Sequence, residues 1–147
     1  MSSSNKIHKG EQALIDMGVY VALPINMNIL LTQNERDILN VIRHCNNNGE
    51  RFISNSVFRI MTGMAENTIR KARDSLIRLE IIEKVKTTTS GTEYKVNFKR
   101  LCTMVKNLNE QRNPVKRLCL ADELRGKGME INKKLIEEFK NTEFDIK

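Results

Sequence analysis

The chain has 147 residues, 25 Lys+Arg against 18 Asp+Glu, a formal charge of +7 and 39% hydrophobic residues. That length suits one domain, or one small domain with an appendage, and the composition excludes a fibrous or low-complexity chain. Val19–Leu23 is the longest apolar candidate and falls far short of the roughly 18 residues of a membrane helix, and the opening Met1–Lys6 lacks a signal-peptide core, so a cytoplasmic protein without membrane attachment is expected.

Residues 1–10 are polar and Ser-rich and read as a mobile arm. Residues 11–31 read as an N-terminal extension packing on the core. It comprises a short helix, an extended piece over Val19–Leu23 and a helical turn after Pro24, with Gly18 and Pro24 as breaks. Thr32-Gln33-Asn34-Glu35 is a capping box and predicts a helix start. Ile38, Leu39, Ile42 and Cys45 give that helix one apolar stripe, and Asn46–Gly49 ends it. Ser54 caps a second, shorter helix whose expected buried side is Val57, Phe58, Ile60 and Met61, and Gly63 stops it. A third helix is predicted over about 66–80, with Ile69, Ala72, Leu76 and Leu79 inward and a charged opposite face.

The period then changes from helical to alternating. Ile81–Lys86 and Tyr94–Lys99 read as two strands joined by the polar stretch Thr87–Glu93, with Ser90-Gly91 supplying the turn. Further helical stripes follow at Leu101, Met104, Val105 and Leu108, then at Val115, Leu118, Cys119, Ala121 and Leu124. Ile131, Leu135, Ile136 and Phe139 form the last. Asn113-Pro114 and Gly126-Lys127-Gly128 separate these helices.

Three helices followed at once by a hairpin, within 32–100, resemble a winged helix-turn-helix domain. The closer similarity is to the N-terminal modules of phage replisome organisers and of plasmid or mobile-element replication initiators. The residues that carry it are Leu31-Thr32, Glu35-Arg36, Ile38-Leu39, Ile53-Ser54-Asn55, Met61 through Ala72, and Leu76 through Lys84 with its Leu79-Glu80-Ile81-Ile82. The resemblance implies a mainly α fold with a small β-hairpin wing, a recognition helix at about 66–80 and a wing at about 81–99, with a C-terminal helical extension over 101–147. Two departures are visible: Ala65 stands where the family has a Ser or Thr N-cap, and Glu80 or Ile81 where it has Gly before the first wing strand.

The implied partner is double-stranded DNA, bound sequence-dependently in transcription regulation or in replication initiation of a bacterial or phage genome. Asn67, Thr68, Arg70 and Lys71 stand at the start of the third helix, where its first turns would meet base edges. Arg70 suits guanine and Asn67 suits adenine, while Lys71, Arg73 and Arg78 suit phosphates. Lys84, Lys86 and Lys95 flank the predicted wing tip, although lysines also guard an ordinary hairpin edge. Charge is distributed to match. Residues 32–100 hold 13 Lys+Arg and 8 Asp+Glu, a net +5, against 0 before them and +2 after.

The C-terminal stripes either close over the module as part of its own core or pair with a second copy, giving a homodimer through 101–124. The alternative function is a winged-helix protein-interaction module without DNA binding. No catalytic, cofactor or metal motif is found, no small-molecule ligand is evident, and an enzyme is not expected. His44 and Cys45 are sequence neighbours and diverge by about 100° on a helix, the wrong geometry for a nucleophile and its base. Cys45, Cys102 and Cys119 show no paired spacing and are expected to be reduced, mostly packing residues.

Overall fold

The structure, a computed structural model, describes residues 26–144. The arm expected at 1–10, and the short helix and extended piece expected before Pro24, lie outside the described residues. Within them the fold is mainly α with one β-hairpin, in the order α1 (Met27–Leu30), α2 (Gln33–Asn47), α3 (Asn55–Thr62), α4 (Glu66–Arg78), β1 (Ile82–Thr88), β2 (Gly91–Val96), α5 (Phe98–Glu110), α6 (Pro114–Arg125) and α7 (Glu130–Phe139).

Local chemistry sets these boundaries. The Thr32 hydroxyl accepts from the Glu35 amide at 3.2 Å while the Glu35 carboxylate accepts from the Thr32 amide at 2.9 Å, so the capping box closes and α2 starts where expected. Ser54 caps α3 by accepting from the Val57 amide, and Gly63 ends α3 in the left-handed conformation at φ 73°. Ala65 starts α4 with no side-chain cap. At the other end of α4 the Ile81 amide donates to the Leu76 carbonyl and the Glu80 amide to the Ile77 carbonyl, the two bonds of a Schellman motif. The left-handed residue of that motif is Glu80, at φ 63°, where glycine would be unstrained. The exit turn is therefore kept, and kept at the cost of a strained Glu.

The antiparallel hairpin differs from expectation at both ends. Thr87 pairs with Thr92 and Thr88 with Gly91, so the strands run through most of the expected polar loop and only Thr89 and Ser90 form the tip. The alternation of residues 94–99 stops at Asn97, whose side chain accepts from the Arg100 amide and caps α5; Phe98 and Lys99 are helical, not strand. Ile53 and Thr92 exchange backbone hydrogen bonds at 2.9 and 3.0 Å, which pins the hairpin tip to the segment entering α3. A Cβ at Gly91 would lie 2.5 Å from the Ile53 carbonyl carbon, so the close approach requires glycine there.

One hydrophobic core runs through Met27, Leu30 and Leu31, the inward faces of α2 and α4, Phe58, Ile82, Tyr94 and Val96, and on to Leu101, Met104, Leu108 and Ala121. Every residue of the expected α2 and α4 stripes is buried. Each large side chain removed from water here contributes on the order of 1.5–3 kcal/mol. Leu101, Met104 and Leu108 are used inside the chain, the first of the two arrangements expected for that stripe. On α3 the expectation needs correction: Phe58 is fully buried and packs edge-on against Tyr94, but Ile60 is 83% and Met61 45% exposed. A helix of two turns reaches the core through Phe58, with Val57 partly buried against it, while Ile60 and Met61 on its other sides stay in solvent.

The last two helices also depart from their stripes. On α6, Ala121 and Arg125 are buried and Cys119 is exposed; on α7, Asn132 is buried and Ile131 exposed. Polar groups do the fastening. Arg125 donates through both terminal nitrogens to the two Glu35 carboxylate oxygens at 2.6 Å, and again to the Leu30 carbonyl at 3.1 Å. Asn132 donates to the Ile29 carbonyl at 2.7 Å and to Asp122 at 2.9 Å. The same Glu35 thus closes the α2 capping box and anchors the end of α6.

Candidate nucleic-acid interface

Because Ile69, Ala72, Leu76 and Leu79 face the core, helical geometry turns Asn67, Arg70, Lys71, Asp74 and Arg78 to the opposite side, and all five are exposed. Asn67 accepts a hydrogen bond from Arg70, which joins two of the expected base-reading residues into one polar unit on the surface. No carboxylate lies within ion-pair distance of Arg70, Lys71 or Arg78 among the described residues. The face therefore presents three unneutralised cations and one carboxylate, Asp74.

Thr68 and Arg73 sit on the two flanks of this face. Thr68, with Lys71 and Ser75, borders a shallow depression whose other wall is Thr32, Asn34 and Glu35 at the start of α2. The capping box takes the Thr32 and Glu35 amides there, and Lys71 stands beside the positive end of the α2 dipole, which favours an anion. Arg73 is partly buried and donates to the Asn55 side chain at 3.0 Å, while Asn55 donates to Glu66 at 3.4 Å. Its geometry is that of a strut fixing the angle between α3 and α4, and it is turned away from the shared face.

The hairpin lysines do not lie at the tip. A bulge at Val85 breaks the register between Lys84, opposite Tyr94, and Lys86, opposite Glu93. Directly paired residues share a face, so Lys84 falls on the side of Tyr94 and Lys86 on the side of Glu93 and Lys95. Lys95 stands opposite Glu83, and Glu93 is held by Arg51 at 2.8 Å. All three lysines are exposed, and none has an ion pair among the described residues. The structure brings Asn67, Arg70, Lys71 and Arg78 together, leaves Thr68 and Arg73 on the flanks, and divides the hairpin lysines between two faces.

Two groups that periodicity did not single out shape the electrostatics beneath. Burial raises the Glu35 carboxyl, but the Arg125 hydrogen bonds, the Thr32 amide and the Arg125 charge outweigh it and hold the group below its ordinary value of 4.5. Glu35 is thus an anion committed to Arg125, and it leaves the α2 N-terminus free of an unpaired acid. Arg43 on α2 is lowered by burial and lies 5.7 Å over the ring of Phe98. The thiol of Cys45 is pushed up to about 12 by burial and by Glu50, and so stays protonated near neutral pH. Cys102 and Cys119 are exposed rather than packing residues, and all three thiols are free.

Among the described residues no helix is long and apolar enough to cross a membrane. Compared with family models, with curated proteins and with solved structures, the chain matches none.

Proposed function

We propose that the chain is a winged helix-turn-helix protein that binds double-stranded DNA in a sequence-dependent way, with α4 as the reading helix and the hairpin as the wing. The observation that carries this reading is the exposed face of α4, on which Asn67, Arg70, Lys71 and Arg78 stand together with no ion-pair partner for the cations. A 13-residue helix is about 20 Å long, so its first two turns fit within a major groove about 12 Å wide. In this reading Arg70, steadied by Asn67, meets a base edge, while Lys71 and the α2 N-terminus share a flanking phosphate. Arg73 acts through Asn55 as a positioning residue. Lys84, Lys86 and Lys95 supply backbone contacts from the hairpin. Binding involves no bond making, and it would serve transcription regulation or the initiation of replication.

The test is fluorescence anisotropy on labelled duplexes selected from a random pool, across a salt series. Log affinity is expected to fall with log salt by about 0.9 per phosphate neutralised, and Arg70→Ala to lower discrimination between sites by about 1–3 kcal/mol. Retention of no duplex at low salt would sink the reading.

One observation favours a second reading, a protein-interaction module. Ile60 and Met61 leave apolar surface in solvent on α3, and Ile60 borders a depression with Met64 and Ala65 ahead of α4. The two separate in one measurement: a protein-docking α3 predicts no duplex retention and loss of partner binding in Ile60→Asp.

A further inference from the structure

Helix α7 buries its polar side chain and exposes apolar ones. Met129 and Asn132 are inside, whereas Ile131 is 62% and Phe139 38% exposed, with Leu135 between them partly buried. Spaced by four, these three make one stripe along the helix. Lys134 and Glu138 are exposed along one edge of it. They stand one turn apart, yet no ion pair joins them, and neither has another among the described residues.

We propose that α7 docks antiparallel on α7 of a second copy of this chain, about a twofold axis passing near Leu135. Ile131 and Phe139 lie about 6 Å to either side of Leu135 along the helix, so the twofold sets each Ile131 on the other copy's Phe139 and Leu135 on itself. The same operation brings each Lys134 within a turn of the other copy's Glu138, forming two ion pairs from the charges left single in the monomer. A parallel twofold would carry the Lys134 and Glu138 edges of the two copies to opposite sides of the seam, where neither side chain meets its counterpart's partner. The charge pattern therefore selects both the occupant and its direction. Two ten-residue helices bury less than the roughly 1,200 Å² of a standard interface, so the dimer is weak and appears at high protein concentration. It is independent of whether the chain binds DNA.

Sedimentation equilibrium of the full chain without DNA, over about 10 µM to 1 mM, tests it in a range suited to a small interface. The wild type is expected to shift from monomer to dimer. Lys134→Glu, which makes two like-charge contacts, should weaken the dimer about tenfold, and adding Glu138→Lys should restore it. Ile131→Glu should leave the fold intact by circular dichroism and remove the dimer. A wild type that stays monomeric, with Ile131→Glu lowering its melting temperature, would show the stripe covered by its own chain and overturn the proposal. A dimer indifferent to Ile131→Glu and to the charge exchange would overturn it too.

Discussion

Residues 32–97 and the helices from α6 onward are built from similar sequence patterns and held by different forces. In the first region the apolar stripes of α2 and α4 meet face to face, and on those two helices the side chains expected inside are inside. In the second, Arg125 and Asn132 are buried and their bonds reach Glu35, Leu30 and Ile29, at sequence separations of 90 to 103 residues. Apolar packing tolerates approximate shape, whereas a buried charge pair holds only in one arrangement. The first region thus accounts for most of the cohesion, and the second for how the last helices are registered against the start of α2.

Breaking either region at its centre should give the largest effects. Phe58→Ala is expected to cost about 3–5 kcal/mol, against under about 0.5 for Ile60→Ala two residues away, measured by urea unfolding. Arg125→Ala should cost a similar 3–5 kcal/mol because it strands the Glu35 carboxylate, and Arg125→Met with Glu35→Leu should recover most of the loss. If the single and double variants were equally unstable, the pair would be acting through shape and the contrast between the regions would fail. Asn132→Ala, at about 1–3 kcal/mol, should loosen α7 first, seen as faster amide exchange there than in α4.

Acid separates the regions without mutation. The Glu35 carboxyl is held below its unfolded value of 4.5, so its contribution is complete above that pH and is lost as pH falls through the folded value. Wild-type melting temperature should fall more steeply below about pH 4.5 than that of the Arg125→Met/Glu35→Leu variant. The smallest effect is a gain. Glu80→Gly relieves the left-handed strain at the α4 exit and should stabilise by about 0.5–1 kcal/mol.

The contrast also marks how far sequence reasoning reached. Stripes, caps and stops in 32–80 are local signals, and Thr32 with Glu35, Ser54 and Gly63 acted where they stand. Asn97 was legible too, as a cap three residues before the amide it accepts from, but the alternation of Tyr94, Val96 and Phe98 masked it. Arg125 and Asn132 carried no such signal, because burial of a polar side chain is decided by partners far along the chain. The candidate site was half legible. The α4 period puts Asn67, Arg70, Lys71 and Arg78 on one face, but the bulge at Val85 and the bond from Arg73 to Asn55 appear only in three dimensions.

The hairpin tip sets a limit on how this chain can vary. At Gly63 the backbone is left-handed but nothing lies within 4 Å of a Cβ, so asparagine is an acceptable substitute. Position 91 offers no such latitude, since the first atom of any side chain would collide with the Ile53–Ser54 peptide, which is backbone and cannot step aside. A saturation library should therefore return glycine alone at 91. Through that one residue the entry to α3 and the hairpin are inherited as a unit, free to diverge on their surfaces and bound at their point of contact.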